Sequence, residues 1–175
     1  MNPGGRLVQT WPRSLGDLPP MMDYDLRHGR TYLYFEGEPL FPFGYGLSYT
    51  TFGYAKLRTA ADEADAETSV DVLVDVTNTG GRAGDEVVQL YARYVSSGVK
   101  RPLQQLVGFR RVTLAAGETK TVTISLDVNE LAYWDVSSQR FVVESGAIEL
   151  RVGRSSRDIE LTKTLVVEAG EGRSE

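Results

Sequence analysis

Val70-Asp-Val-Leu-Val-Asp-Val-Thr-Asn78-Thr-Gly-Gly81 alternates with a period of two. Val70, Val72, Val74 and Val76 fall on one side, and Asp71, Leu73, Asp75 and Thr77 on the other. Successive side chains of a strand point to opposite faces, so this is a strand with one buried face and one mostly wet face. Asn78-Thr-Gly-Gly81 closes it with turn residues. The same period returns further along, at Val88, Leu90, Ala92 and Tyr94, at Val122, Ile124 and Leu126, and at Ile148, Leu150 and Val152. Phe109, Val112 and Leu114 lie in another extended stretch, which Ala116-Gly117 turns. Phe141-Val-Val143 is a short strand, and Ile159 to Val167 supplies a last one. No long helical period interrupts the series, although Asn129-Glu-Leu-Ala132 suits one helical turn. Short strands punctuated by glycine and polar turns predict an all-β sandwich of about seven strands in two sheets. Its expected core is Val72, Val74, Leu90, Val122, Ile124, Leu150 and Val152. Trp134 reads as a plug at one end of that core.

Working toward the N-terminus, Pro39-Leu-Phe-Pro-Phe-Gly-Tyr-Gly-Leu-Ser-Tyr-Thr-Thr-Phe52 sets five aromatic residues among two prolines and two glycines. Proline fixes the backbone and glycine permits unusual angles, so the stretch reads as a stiff aromatic seam between structural units. Residues 1–48 are expected to be extended and to lie against a partner surface, with the sandwich at 49–168 and a disordered polar tail at 169–175. Leu7 to Trp11 suits one short strand, and Thr31-Tyr-Leu-Tyr-Phe35 has strand propensity. Pro19-Pro20 should uncouple the residues before Asp23 and leave them the least protected.

Composition limits the functions available. One hundred and seventy-five residues, 41% hydrophobic, suit one domain with an appendage. The net charge of −5, with acids and bases interspersed, argues against a nucleic-acid groove. Arg110-Arg111 is too short a doublet to make one and reads as a strand surface. No apolar run approaches a membrane span, and no charged-then-apolar leader pattern opens the chain; neither point identifies a compartment. With no cysteine, neither disulfides nor thiolate metal sites are available.

Several ordered motifs resemble a known family. Gly29-Arg-Thr-Tyr32 followed by Pro42-Phe-Gly-Tyr-Gly-Leu-Ser-Tyr-Thr50 resembles the junction of family 3 glycoside hydrolases that leads into their C-terminal fibronectin type III-like domain. Gly84-Asp-Glu-Val-Val-Gln-Leu-Tyr91, Pro102-Leu-Gln-Gln-Leu-Val-Gly-Phe109, Gly146-Ala-Ile-Glu-Leu150 and Val152-Gly-Arg-Ser-Ser-Arg-Asp158 are similar to successive signatures of that domain. Gly5-Arg-Leu7 and Trp11-Pro-Arg-Ser14 resemble the tail of the α/β sandwich that precedes it. The resemblance implies a fibronectin type III-like fold and a non-catalytic accessory role in a β-glucosidase or β-xylosidase. The barrel and α/β sandwich upstream in the same polypeptide would then be its partners. It also implies a nucleophilic Asp within a Ser-Asp dipeptide on the barrel and an acid/base Glu on the α/β sandwich. No Ser-Asp dipeptide occurs here, and neither residue has a matching position.

The chain's own carboxylates give little chemistry. Glycoside hydrolysis normally needs two of them flanking one bond. Asp62, Glu63, Asp65 and Glu67 read as a solvated loop, and Asp71 and Asp75 as an exposed strand face. Glu36 and Glu38 around Gly37 are the most interesting pair. His28 is the only histidine, which leaves no metal set, and no cofactor is expected. Gly44-Tyr-Gly46 lacks the strand-to-helix context of a phosphate loop. Arg27, His28 and Arg30 read as an exposed turn, with the active-site rim of a larger enzyme as the other reading. Phe41, Phe43, Tyr45, Tyr49, Arg101, Gln104 and Gln105 are the candidate interdomain contacts. Tyr45, Tyr49, Tyr91, Tyr94, Tyr133 and Trp134 would make sugar platforms if exposed, giving a carbohydrate-binding module as the alternative; core and seam packing is their plainer role.

Overall fold

The computed structural model describes residues 2–171. The described residues form eleven strands: β1 (Phe52–Thr59), β2 (Glu63–Ala64), β3 (Ser69–Asn78), β4 (Gly84–Tyr94), β5 (Gln105–Leu114), β6 (Thr119–Asp127), β7 (Tyr133–Asp135), β8 (Arg140–Val143), β9 (Gly146–Gly153), β10 (Ile159–Val167) and β11 (Gly170–Glu171). One sheet has the order β1-β3-β6 and a second β2-β10-β9-β4-β5. A small third sheet, β11-β8-β7, accounts for most of the excess over the seven strands expected. All pairings are antiparallel except β2 with β10.

The valine alternation sets the register. Val72 lies opposite Ile124 and Val74 opposite Val122. These four pack against Leu90, Leu150 and Val152 of the second sheet, and all seven expected core residues are buried. Asp75, on the outer face of the first sheet, is half-buried and neutralised by Lys56 at 3.5 Å and Arg58 at 3.3 Å. Asn78 does more than turn the chain. Fully buried, it accepts from Thr50 Oγ1 and the Gly80 amide and donates to the carbonyls of Arg82 and Leu114. A buried amide is tolerated when each of its groups is paired, and this one ties three loops together.

Four local expectations are corrected. Thr31–Tyr34 is a single helical turn, α1, because Tyr32 must turn inward to stack on Phe43 and present its hydroxyl to the Leu106 amide. Leu7–Trp11 forms no strand, only an isolated bridge between Trp11 and Phe41 and paired amides between Leu7 and the Gly44–Tyr45 turn. Trp134 is 51% exposed on the β7–β8 hairpin, edge-on to Phe141; Val128, Leu131 and Val143 close the core instead. Gly170 and Glu171, expected in a disordered tail, pair with Val143 and Val142 of β8, whose edge would otherwise be open. Residues 172–175 of that tail lie outside the described residues. The helical turn expected near Asn129 is a 3-10 turn at Val128–Leu131, capped by Asp127.

Replacing Ile124 by Ala should destabilise the chain by about 2–5 kcal/mol, through lost transfer energy and a cavity between the sheets. Urea unfolding would check this: an unchanged midpoint would place Ile124 outside the core.

Candidate interdomain interface

The middle of β4 is buried on both faces. Val88, Leu90 and Ala92 point into the sandwich, whereas Gln89 and Tyr91 point outward and are equally covered. Their cover is the N-terminal segment. Tyr32 meets the Tyr91 ring edge-on at 6.0 Å and stacks on Phe43 at 4.2 Å. Tyr91 donates its hydroxyl to Gln89 Oε1, and Gln89 Nε2 donates to the carbonyls of Gly44 and Arg154. Burial pushes the Tyr91 phenol far above its usual range. At Gly44 φ is +83°, and a Cβ there would sit 2.0 Å from Gln89 Oε1. Only glycine fits both the angle and the approach.

The segment is stitched on at further points. Ser156 donates its amide to Phe43 O, and Leu103 donates to Leu33 O. Arg157 Nη2 donates to the carbonyls of Phe35 and Gly37 at 3.0 and 2.9 Å. The residues before Asp23, expected to be uncoupled, are tied as well. Asn2 bonds Ser48 and the Tyr49 amide, and Arg6 reaches Glu86 at 3.0 Å. Glu86 is 1% exposed and also accepts from the Tyr54 hydroxyl. Burial raises its carboxyl above the usual range, while Arg6 and the Tyr54 hydrogen bond pull it back.

The outer side of this strap is apolar. Trp11 is 46% and Tyr49 71% exposed, with Leu40, Phe41 and Leu47 also open. Phe41 tilts against Tyr45 at 5.2 Å. Leu7, Trp11, Phe41, Tyr45 and Leu47 line a groove of about 590 Å³. Aromatic area of this kind in one patch marks a contact surface.

Comparison with known proteins agrees with this geometry. The family model for the fibronectin type III-like domain matches residues 86–156. Thermostable beta-glucosidase B of Acetivibrio thermocellus is 39% identical over 95% of this chain and 24% of its own length. A xylan 1,4-beta-xylosidase of Xylanibacter ruminicola is 41% identical over 94% of this chain and 19% of its own. The crystal structure of beta-glucosidase 3B from Thermotoga neapolitana in complex with glucose superposes with a TM-score of 0.87 at 36% identity, over 99% of this chain and 26% of that one. A Bifidobacterium adolescentis GH3 beta-glucosidase superposes with a TM-score of 0.84 at 32% identity, over 97% of this chain and 26% of that one. This chain belongs to the fibronectin type III-like region of the family 3 glycoside hydrolases. It spans about a quarter or less of the length of these relatives.

Within this glycosidase region the candidate residues fall into distinct settings. Phe43 is held inward by Tyr32, while Phe41, Tyr45 and Tyr49 reach the open side. Arg101 does not reach outward. Its guanidinium lies between the rings of Tyr94 and Tyr133, at 4.2 and 4.5 Å, and donates to Leu131 O. Gln104 is buried, donating to Ser156 O and accepting from Arg151 at 2.9 Å. Gln105 donates to Glu130 O. These three polar side chains brace the β4–β5 loop from within, because carbonyls left by the strand ends need donors. Arg27 and His28 are exposed and engage Asp25 and Asp23, and Arg30 donates to the carbonyls of Asp23 and Pro20. Glu36 and Glu38 are both exposed. Glu36 borders a wide polar depression with Asp17 and His28, but Asp17 is engaged by the amide and hydroxyl of Ser14. Sequence reasoning missed Glu86 and Gln89. Their only signal is that each is polar within a strand of high β propensity.

Arg6→Ala would leave Glu86 buried without its cation, and about 3–5 kcal/mol of stability should be lost at neutral pH. Folding raises the Glu86 pKa, so its favourable contribution is full below the unfolded value and is lost as pH rises through the folded one. Losing Arg6 raises the folded value further. The deficit of the variant should therefore shrink on acidification. Denaturation midpoints at pH 7 and pH 4 would show this, and a deficit independent of pH would count against an ionised Glu86.

Proposed function

We propose that this chain is a non-catalytic C-terminal accessory region of a β-glycosidase that acts by retaining hydrolysis of β-glucosides or β-xylosides, packing on and stabilising the barrel and α/β sandwich of the same polypeptide. The observation that carries the reading is the division of the strap. One side, Tyr32 and Phe43, is locked onto β4, while the other, Trp11, Phe41, Tyr45 and Leu47, forms an open apolar groove. A surface that is rigidly backed and apolar suits a large, permanent contact. Arg27, whose carbonyl accepts from Lys100, together with His28 and Arg30 makes the proposed rim contact with those domains.

A carbohydrate-binding role is the second reading, and one observation favours it: Trp134 and Phe141 stand half-exposed on the β7–β8 hairpin. Tyr91 and Tyr94, by contrast, are covered, and Tyr133 is occupied by Arg101. Saturation by cello- or xylo-oligosaccharides, lost in Trp134→Ala, would favour the second reading over the first.

In the longer protein, Trp11→Ser with Phe41→Ser should lower the melting temperature. In the chain by itself the same pair should change it far less. Equal effects in both would mean that these side chains serve the strap and not a neighbouring domain.

The purified chain should not hydrolyse aryl β-glucosides or β-xylosides: Glu36 is exposed beside an engaged Asp17, and the buried Glu86 shares its cavity with an exposed Asp158, so neither pair offers two desolvated carboxyls. Turnover surviving rigorous purification and abolished by Glu36→Gln or Glu38→Gln would reverse this and put catalysis in the seam.

A further inference from the structure

Beyond the aromatic cover of β4, the same sheet face carries a concentration of positive charge. Arg93 on β4 lies opposite Glu149 on β9, and Arg151 follows two residues later, opposite Tyr91. Arg157 comes in from the β9–β10 turn. Glu149 is the single acid among them. It approaches Arg151 Nε at 3.1 Å, yet that buried N–H is not aligned with it and has no hydrogen-bond acceptor. Arg151 Nη1 is engaged by Gln104 Oε1 at 2.9 Å. Arg157 gives Nη2 to two carbonyls of the strap, and its other N–H groups have no partner among the described residues. Burial holds the Arg151 guanidinium below its usual range; the Glu149 carboxylate pulls it back up, and Arg93 and Arg157 add smaller repulsions.

Arg151 and Arg157, with Tyr32, Gln104 and Ser156, line a cavity of about 320 Å³. No carboxylate lines it. Three guanidinium groups against one carboxylate are out of character for a protein of net charge −5. Arg151 is partly withdrawn from water beside the exposed Arg93 and Arg157, and such a cluster is stabilised by an anion. Guanidinium forks match planar or tetrahedral oxyanions through paired N–H···O bonds.

We propose that this cavity is an oxyanion site that holds a carboxylate or phosphate group between Arg151 and Arg157. It is separate from the apolar groove, and its occupancy does not depend on the accessory role. An anion bound there would join β9 to the β9–β10 turn and, through Arg157, to Phe35 and Gly37 of the strap. It would therefore reinforce the seam as well as fill a cavity.

The test is a titration of the chain with sodium phosphate, and separately with sodium acetate, at ionic strength held constant with sodium chloride. Arginine Nε–H resonances would be followed by NMR. Saturable shifts confined to Arg151 and Arg157 are expected, with at least about tenfold weaker binding in Arg151→Gln. Tighter phosphate binding would identify a phosphoryl ligand, and tighter acetate binding a carboxylate. Linear, non-saturating shifts, or equal shifts at exposed Arg110 and Arg111, would overturn the proposal and leave a water-filled cavity with ordinary ionic screening. Should Arg151→Gln fail to fold, saturability and localisation in the unsubstituted chain decide the matter.

Discussion

The architecture depends on the middle of β4 having no solvent-facing side. Its inner residues build the sandwich core, and its outer residues, Gln89 and Tyr91, would strand a buried amide and phenol if left half-covered. Burying a polar group without a partner is costly, and the N-terminal segment supplies the partners: the carbonyl of Gly44, the ring of Tyr32 and, from the β9–β10 turn, the carbonyl of Arg154. The aromatic seam is therefore a structural layer over the second sheet. Its conformation is dictated by the acceptor geometry around Gln89, and Gly44 is the position where that demand is sharpest.

Arginine is the main fastener of this layer. Arg6 closes the head onto Glu86, Arg157 holds the strap by two of its carbonyls, and Arg101 braces the β4–β5 loop between two rings. Each guanidinium uses several donors in a fixed plane, which suits carbonyls displayed by irregular backbone. Arg151 differs from these. It is partly desolvated beside two further arginines with Glu149 as its one ion-pair partner, and its buried Nε makes no aligned hydrogen bond. The same side chain that elsewhere completes the fold here leaves an electrostatic demand that an external anion satisfies.

The division of labour across the strap connects structure to role. Inward-facing aromatics are immobilised by stacking and hydrogen bonds, so the outward-facing ones are presented on a stiff base. Pre-organised apolar surface loses little conformational entropy when it is covered. That property fits a region which occupies only a fraction of its relatives' length.

Strand existence, strand faces and core membership were legible in the sequence, because period-two alternation is a local consequence of backbone geometry and needs no knowledge of the partner sheet. The motif series likewise identified the family, and the Pro- and Gly-rich aromatic run marked the seam. The direction in which each polar side chain points was not legible. Gln89 and Glu86 look like ordinary strand residues until the strap lies over one and Arg6 reaches the other. Arg101 and Gln104 look like loop residues free for an outside partner until the rings and carbonyls around them are assembled. Thr31–Tyr34 has the propensity of a strand, yet the stack of Tyr32 on Phe43 draws it into a helical turn. Trp134, read as a plug at one end of the core, faces water because a three-residue strand pairs it across from Phe141 on an outer hairpin. For Gln89, Glu86 and Gln104 the deciding partner lies tens of residues away in the chain, and for all of them burial and hydrogen bonding act on neighbours in space.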